Sequence, residues 1–232
     1  MRLEEHVAIR QLELFSGLAD ETYTNLLKGA YLQTIPPHVQ LITEGDTADF
    51  LYIVSEGLVE LFAGSNGRET TLRLAGTSST FILAAVLKDA VYLASARTIQ
   101  KSQLLLIPAA NVREAVEDDV DFSQSMVQEL ASDYRGLMKA LKGQKLRSTT
   151  ERLANYLLQQ KQAQEASSQI TLPHDKKTLA SLLGMTPENL SRAFGGLNKY
   201  GVSVNARDVR IDNLEELEKF AKPSPFIDDN DL

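Results

Sequence analysis

The decapeptide MTPENLSRAF, residues 185–194, contains three side chains that could hydrogen-bond to the edges of nucleic-acid bases. Glu188 precedes Ser191 by three positions and Arg192 by four, so a helix would carry all three on one face. An arginine can donate to both acceptors of a guanine, a glutamate can accept from the amino group of a cytosine, and a serine can bond either a base or a phosphate. We therefore interpret this segment as a candidate DNA-reading helix.

The same spacing allows a simpler interpretation, in which Glu188 and Arg192 form an i,i+4 ion pair on a solvated helix. The flanking sequence favours the DNA-reading interpretation. KKTLASLLG predicts a short helix that ends on Gly184, and Pro187 suits the first turn of a second helix. VSVNARDVRI then predicts a hairpin of the winged-helix type. The buried side of the second helix is predicted to consist of Leu190, Phe194 and Leu197.

Basic charge is concentrated in this region, although the whole chain has a formal net charge of −7. Residues 144–210 contain 10 Lys and Arg against 5 Asp and Glu, whereas residues 1–143 contain 12 against 19. The excess indicates either a surface for phosphates or chance clustering on solvated faces. The candidate phosphate contacts are Lys176, Lys177, Thr178, Lys199, Arg207 and Arg210.

Composition and motifs exclude several classes of function. The sequence contains no cysteine, which excludes disulfides, cysteine-ligated zinc and iron–sulfur clusters. It contains no Walker loop, serine-hydrolase elbow or dinucleotide fingerprint. Residues 1–18 lack the long apolar core of a signal peptide or a membrane span. We expect a cytoplasmic protein that does not contact a membrane.

Residues 30–107 have the pattern of an antiparallel β domain. FLYIV and LVELF are strand-length apolar runs, and Ser65-Asn66-Gly67 is a strong signal for a tight turn. From Asn111 onward an apolar stripe at steps of three and four predicts a long helix, which would pack on its own domain or in a two-stranded coiled coil. The residues of the stripe are Phe122, Met126, Leu130, Tyr134, Leu137 and Leu141.

The order of these parts resembles the transcription-factor superfamily of the cyclic-AMP receptor protein and the fumarate–nitrate reduction regulator (CRP/FNR), over about residues 10–220. The resemblance is carried by EGDTADFLYIVSEGLVELF, the long helix and MTPENLSRAF. Glu188, Ser191 and Arg192 match the E-x-x-S-R pattern of the fumarate–nitrate branch, whose half-sites resemble TTGAT. KKTLASLLGMTPENLSRAFGGLNKYGV is similar to the FtrB-type regulators. The resemblance implies a homodimer along the long helix, with the residues of the apolar stripe at its interface. The dimer would bind a two-fold symmetric operator in double-stranded DNA, with RNA polymerase as a candidate partner.

Together these features predict an α+β fold in four segments. We expect an N-terminal helix and antiparallel β-roll over residues 1–110 and a dimerisation helix over 111–143, ending at Gly143. A winged helix-turn-helix domain over 144–222 would begin with the capping box Ser148-Thr149-Thr150-Glu151. The tail, 223–232, is broken by prolines and acidic, and we expect it to be disordered.

The predicted effector region departs from the superfamily pattern. Cyclic-nucleotide members carry F-G-E-L followed by R-S-A, in which glycine-rich backbone and an arginine hold the cyclic phosphate. This sequence has Phe81-Ile82-Leu83-Ala84-Ala85 and then Tyr92-Leu93-Ala94. A bound phosphate would lack its arginine partner, so we expect that cyclic AMP is not the effector.

The apolar segment FILAAVLKDAVYLASA allows a hydrophobic ligand, a haem or a pocket filled by its own side chains. The candidate effector residues are Phe81, Ile82, Leu83, Tyr92 and Leu93. A haem-based gas sensor of the same fold is the alternative regulator, and it would need an iron ligand. The sequence offers three histidines, His6, His38 and His174, and a surface or turn role suits each of them better.

Two alternatives come from other functional classes. A β-roll resembles a cupin barrel in outline, but a cupin-like metal enzyme needs clustered histidines and carboxylates, and the β region has one histidine. A signal-binding module that docks only to proteins would not need a base-reading helix. We therefore expect a DNA-binding regulator and not an enzyme.

Overall fold

The computed structural model describes residues 9–15, 17–166 and 168–229. The chain divides into two compact units, Met1–Asp133 and Tyr134–Leu232. His6, one of the three histidines considered as an iron ligand, lies outside the described residues. No helix in the described ranges has both the length and the apolar character that a membrane crossing requires.

The first unit is built on two four-stranded antiparallel sheets, ordered β1-β8-β3-β6 and β2-β7-β4-β5. A short helix, α1 (Asp20–Leu26), precedes them. Asn66 and Gly67, both with positive φ, form the tight turn between β4 and β5, as the sequence predicts. The strands are β1 (Tyr31–Ile35), β2 (Gln40–Ile42), β3 (Phe50–Glu56), β4 (Val59–Ser65), β5 (Arg68–Ala75), β6 (Thr80–Phe81), β7 (Ser95–Thr98) and β8 (Ser102–Pro108).

The core of the first unit lies against the central strands β3 and β8. Leu51, Ile53, Leu104 and Ile107 are fully buried, and four successive residues of each strand are buried. A strand with consecutive buried residues is covered on both of its faces. This β-roll and the helices around it confirm the predicted α+β fold.

Two further helices of the first unit are α2 (Leu83–Lys88) and α3 (Ala109–Asp118). The next helix, α4 (Val120–Leu146), begins in the first unit and continues past its last residue, Asp133. The predicted single helix from residue 111 to about 143 is therefore wrong in its boundaries. Asp119 is extended, with φ −125°, and its carboxylate accepts a hydrogen bond from the Phe122 amide at 2.9 Å. An aspartate in this position ends one helix and caps the next. Gly143 lies inside α4, and the boundary between the units falls after Asp133.

The apolar stripe of α4 has two parts with different environments. Phe122 and Met126 are fully buried in the core of the first unit, and Leu130 packs against that core. These three residues were predicted to form a dimer interface, and the structure instead uses them within their own unit. Helical periodicity defines an apolar face but does not show what covers it. Tyr134, Leu137 and Leu141 are exposed.

The second unit has a three-stranded sheet, β10-β11-β9, and a set of short helices around one core. Its first helix begins with the predicted capping box, which the structure confirms between Ser148 and Glu151. The elements are α5 (Thr149–Ala163), β9 (Gln169–Thr171), α6 (Lys176–Leu182), α7 (Pro187–Leu197), β10 (Val202–Asn205), β11 (Asp208–Ile211), α8 (Leu214–Ala221) and α9 (Pro225–Asp228).

The acidic tail contains ordered structure, contrary to the prediction for residues 223–232. Asp228 closes α9 and forms a two-pronged ion pair with Arg147, at 2.6 and 2.5 Å, in which both side chains are largely buried. The same carboxylate accepts from the Ser224 amide at 2.7 Å. The prediction rested on composition, and the composition of a segment does not show that it has a partner 81 positions earlier in the chain. Residues 230–232 lie outside the described ranges.

Candidate nucleic-acid interface

Helices α6 and α7 form a helix-turn-helix with a cap at the start of each helix. Asp175 accepts from the Thr178 amide at 2.8 Å, and Thr186 accepts from the Asn189 amide at 3.3 Å. Between the helices, Gly184 has φ +63°, and a Cβ at this position would lie 2.5 Å from the Gln144 side-chain amide. The positive φ favours glycine, which adopts this conformation without strain, whereas the flexible Gln144 side chain could move away from a Cβ.

One side of α7 is buried and the opposite side is exposed. Leu190, Ala193, Phe194 and Leu197 are buried in the core of the second unit, which confirms the predicted buried side. Glu188, Ser191 and Arg192 are all exposed in the first two turns of the helix. The structure thus brings the three predicted base-contacting residues to one free surface.

The hydrogen bonds of these side chains leave donors and acceptors available to a ligand. Ser191 donates its hydroxyl proton to the Pro187 carbonyl at 3.0 Å, so the oxygen lone pairs remain available. Hydrogen bonds from its own backbone amide and from the Thr186 hydroxyl, together with nearby Arg192, lower the pKa of Glu188. Glu188 is therefore an ionised acceptor at neutral pH.

Arg192 is oriented by a residue that the sequence analysis did not single out. Its Nη1 donates to Asn189 Oδ1 at 3.3 Å. The alternative i,i+4 ion pair with Glu188 is not among the salt bridges of the described residues. Asn189 lies three positions before Arg192, and this spacing is the signal from which the contact could have been found.

The predicted phosphate contacts differ in their exposure to solvent and in whether their hydrogen-bond donors already have a partner. Lys176 and Lys177 are exposed at the start of α6, directly after Asp175. Thr178 is half-buried, and its amide is already bonded to the Asp175 cap. Lys199 lies beyond the other end of α7, with its Nζ 4.9 Å from the centre of the Tyr200 ring.

The two arginines of the hairpin already have partners. Arg207 donates to the carbonyl oxygens of Leu172, at 3.1 Å, and of Pro173. Arg210 pairs with Asp212 at 2.6 Å, and both side chains are exposed.

Burial, followed by the nearby Arg207 cation, lowers the pKa of His174, so its imidazole is neutral at pH 7.

The five predicted effector residues do not line a common site. Phe81, Leu83 and Tyr92 are buried in the core of the first unit, whereas Leu93 is 82% exposed. Ile82 adopts the left-handed conformation, with φ +71°, immediately before α2. Packing within the unit explains most of this apolar segment, although Tyr92 borders a separate cavity between β2 and β3.

Acidic residues of α4 face the β-roll within the first unit. Glu129 accepts from the Thr80 hydroxyl at 2.6 Å, and Asp133 accepts from Arg73 Nη1 at 2.6 Å. Burial is the largest influence on Asp133 and raises its pKa, against the opposing effect of Arg73. Among the described residues, no group of three or more histidines and carboxylates has the geometry of a metal site.

Comparison with known proteins matches both units. Residues 32–119 match the family described as Cyclic nucleotide-binding domain, and residues 151–220 match the Crp-like helix-turn-helix domain. The chain belongs to the CRP/FNR family of transcriptional regulators. The two CRP/FNR matches correspond to the β-roll with α3 and to the segment from α5 to α8. The CRP/FNR family consists of regulators and not enzymes.

Relatives of this CRP/FNR chain are similar over nearly their whole length. A probable transcriptional regulator, Flp, of Lacticaseibacillus casei is 27% identical over 93% of this chain and 99% of its own. A CRP-like cAMP-activated global transcriptional regulator of Mycobacterium tuberculosis is 23% identical over 90% and 96%. The crystal structure described as a putative transcriptional regulator of the CRP/FNR family from Eubacterium rectale shares the fold, with a TM-score of 0.73, 17% identity and coverage of 91% of this chain and 98% of its own.

Proposed function

We propose that this CRP/FNR-type regulator binds double-stranded DNA as a homodimer on a two-fold symmetric operator with TTGAT-like half-sites. The observation that carries the proposal is the exposure of Glu188, Ser191 and Arg192 together on the N-terminal half of α7. In helix-turn-helix proteins the second helix enters the major groove and its N-terminal residues contact base edges.

Each side chain has a distinct part in the proposed readout. Arg192 would donate to the two acceptors of a guanine, and Glu188 would accept from a cytosine amino group. Ser191 would bond a base or a phosphate through its free lone pairs. Because one copy of α7 supplies one half-site, a two-fold dimer would read an inverted repeat.

The phosphate contacts would position α7 without specifying sequence. Lys176, Lys177 and Thr178, at the start of α6, are the strongest candidates because both lysines are exposed. Lys199, Arg207 and Arg210 would contact additional phosphates. Arg210 would first have to exchange Asp212 for a phosphate oxygen.

The homodimer would use the C-terminal half of α4. Tyr134 is 65% exposed, Leu137 61% and Leu141 50%, and Met138 is also exposed on the same stripe. These positions follow the three-and-four spacing of a helix–helix seam. An apolar stripe that one copy leaves in water would be buried by a second copy.

Cyclic AMP is not the proposed effector. The segment from Phe81 to Ala94 contains no arginine. Arg113, which contacts this segment at the Val86 carbonyl, already pairs with Asp89 at 3.1 Å. The Glu129 carboxylate is bonded to Thr80, next to the start of the segment. Among the described residues, a phosphate there would meet the Glu129 carboxylate and only arginine that is already paired, with Lys88 as the one cation of the segment.

Haem sensing has no supporting observation. Of the two described histidines, His38 lies in a turn of the first unit with φ +61°, and His174 lies in the second unit.

We also place the protein in the cytoplasm, where RNA polymerase would be the partner of a regulator bound at a promoter.

Selection of bound duplexes from a random pool would test the proposal. We expect enrichment of an inverted repeat with half-sites similar to TTGAT, recovered by the wild-type chain and lost with Arg192→Ala. Recovery of unenriched DNA by both proteins would contradict sequence-specific binding.

A further inference from the structure

The first unit contains an open cavity of about 600 Å³ beside β2 and β3, separate from the candidate DNA surface. Its walls include Leu41, Phe50, Tyr52 and Tyr92, and two carboxylates, Asp46 and Asp49, lie at its edge. The volume falls within the range of small-molecule sites, which is about 300–1,000 Å³. The sequence analysis did not find this site, because it joins residues 41–52 to Tyr92, which lies 40 positions after Tyr52 in the chain.

The aromatic wall is held rigid by neighbouring rings. Tyr52 is 6% exposed and stacks on Phe81, with ring centres 5.1 Å apart. Phe50 packs edge-to-face on Tyr31 at 5.8 Å. Rings fixed in this way can hold an apolar or cationic group without ordering new side chains on binding.

The Tyr52 hydroxyl has no hydrogen-bond partner in the described part of the chain, although the residue is more than nine-tenths buried and lines the cavity. Burial, reinforced by nearby Tyr92, Tyr31 and Asp49, raises the pKa of Tyr52, so its hydroxyl stays protonated. The oxygen is open to the cavity, so it can form a hydrogen bond with a bound molecule or with water.

The acidic edge is fixed in place by backbone contacts. The Tyr92 amide donates to the Asp46 carbonyl, and the Gly45 amide donates to the Tyr92 carbonyl, both at 2.9 Å. Asp49 accepts from the Thr47 hydroxyl at 3.3 Å. The residues that line the cavity include no lysine, arginine or histidine. The local charge is therefore negative, which disfavours anions and favours cations.

We propose that this cavity binds a small organic amine with an aromatic body. The ammonium group would lie between Asp46 and Asp49, and the ring would pack against Phe50, Tyr52 and Tyr92. The Tyr52 hydroxyl would contact a polar substituent or a bound water. This ligand is opposite in charge to a cyclic nucleotide, and the site does not depend on DNA binding.

Isothermal titration of the full-length protein with three probes of similar shape tests the assignment. Phenethylamine is a cation, 2-phenylethanol is neutral and 3-phenylpropanoate is an anion. We expect phenethylamine to bind once per chain, 2-phenylethanol to bind more weakly and 3-phenylpropanoate not to bind. The double variant Asp46→Asn/Asp49→Asn should weaken phenethylamine binding about fivefold and leave 2-phenylethanol unchanged.

Two further variants complete the test. Glu117→Gln removes an exposed carboxylate from α3 and should leave all three affinities unchanged. Tyr52→Phe keeps the ring and removes only the hydroxyl, so it provides a mild second test if the double variant folds poorly. We expect it to weaken the binding of tyramine, whose ring carries a hydroxyl group, more than that of phenethylamine. The proposal is overturned if phenethylamine does not bind at millimolar concentration, if the anion binds equally well, or if neither cavity variant changes the affinities.

Discussion

Asn189 Oδ1 accepts a hydrogen bond from Arg192 Nη1 at 3.3 Å, one turn apart on the exposed side of α7. The backbone amide of Asn189 donates to the Thr186 hydroxyl, which caps α7. The backbone that carries the Oδ1 acceptor is therefore fixed at the start of the helix. The guanidinium that we propose to contact a guanine is thus held by a neighbour before DNA arrives. A donor that is already oriented loses less conformational freedom on binding.

Asn189→Ala should therefore weaken operator binding without affecting the binding of random DNA. One hydrogen bond contributes about 0.5–1.5 kcal/mol, so the expected loss is roughly twofold to tenfold. Fluorescence anisotropy with the selected operator and a shuffled duplex would measure it. Asn198→Ala, at the opposite end of α7, is the matched control. An equal loss on both duplexes would contradict a positioning role for Asn189.

The exposed stripe of α4 predicts the effect of charge on assembly. Leu137→Glu together with Leu141→Glu should convert the protein to monomers and lower its affinity for the inverted repeat, because two carboxylates would have to be buried in the seam. Sedimentation velocity would report the oligomeric state. Leu146→Glu changes an exposed leucine on a different side of the same helix and should leave the dimer intact. A double variant with unchanged sedimentation would place the interface elsewhere.

The ion pair between Arg147 and Asp228 predicts that the C-terminal segment contributes to the stability of the second unit. Asp228→Asn would leave a largely buried guanidinium without its partner, at a cost of about 3 kcal/mol. Hydrogen exchange of peptides from α8, α9 and the start of α5 should then become roughly a hundredfold faster. Glu218→Gln, an exposed change on α8, should have no effect. Unchanged exchange in the Asp228 variant would contradict an ordered tail.

Stability of the second unit should depend on pH through His174. Burial and Arg207 lower the pKa of His174 from the usual 6.5, so the unfolded chain takes up the proton more readily than the folded one. This contribution to stability is complete above about pH 6.5 and is lost as the pH falls below that value. Thermal melting of the wild type at pH 7.5 and 5.5 should show the loss.

His174→Asn should reduce this pH dependence, whereas His38→Asn should leave it unchanged. If the two variants keep the same difference between pH 7.5 and pH 5.5, then His174 is not the group responsible.

The features that could be predicted from the sequence are those that depend on neighbouring residues. The capping box of Ser148, the turn at Asn66 and Gly67, and the buried side of α7 each follow from a short pattern. The exposure of Glu188, Ser191 and Arg192 follows from the same periodicity as the buried side. Their contact with DNA stays a prediction.

The features that were missed depend on residues far apart in the chain. The burial of Phe122 depends on the β-roll packed against it, and the order of the tail depends on Arg147 meeting Asp228. The cavity beside β2 and β3 needs residues 41–52 and Tyr92 together. No local pattern contains that information, and so the sequence alone could not supply it.

The most direct test of the account compares Arg192→Ala with Lys177→Ala on the selected operator and on random DNA, over a range of salt concentrations. We expect Arg192→Ala to reduce the preference for the operator about tenfold or more, because the lost contact is to a base. Lys177→Ala should weaken both DNAs similarly and make the salt dependence shallower by about one unit. Equal losses on operator and random DNA in both variants would contradict base readout by α7.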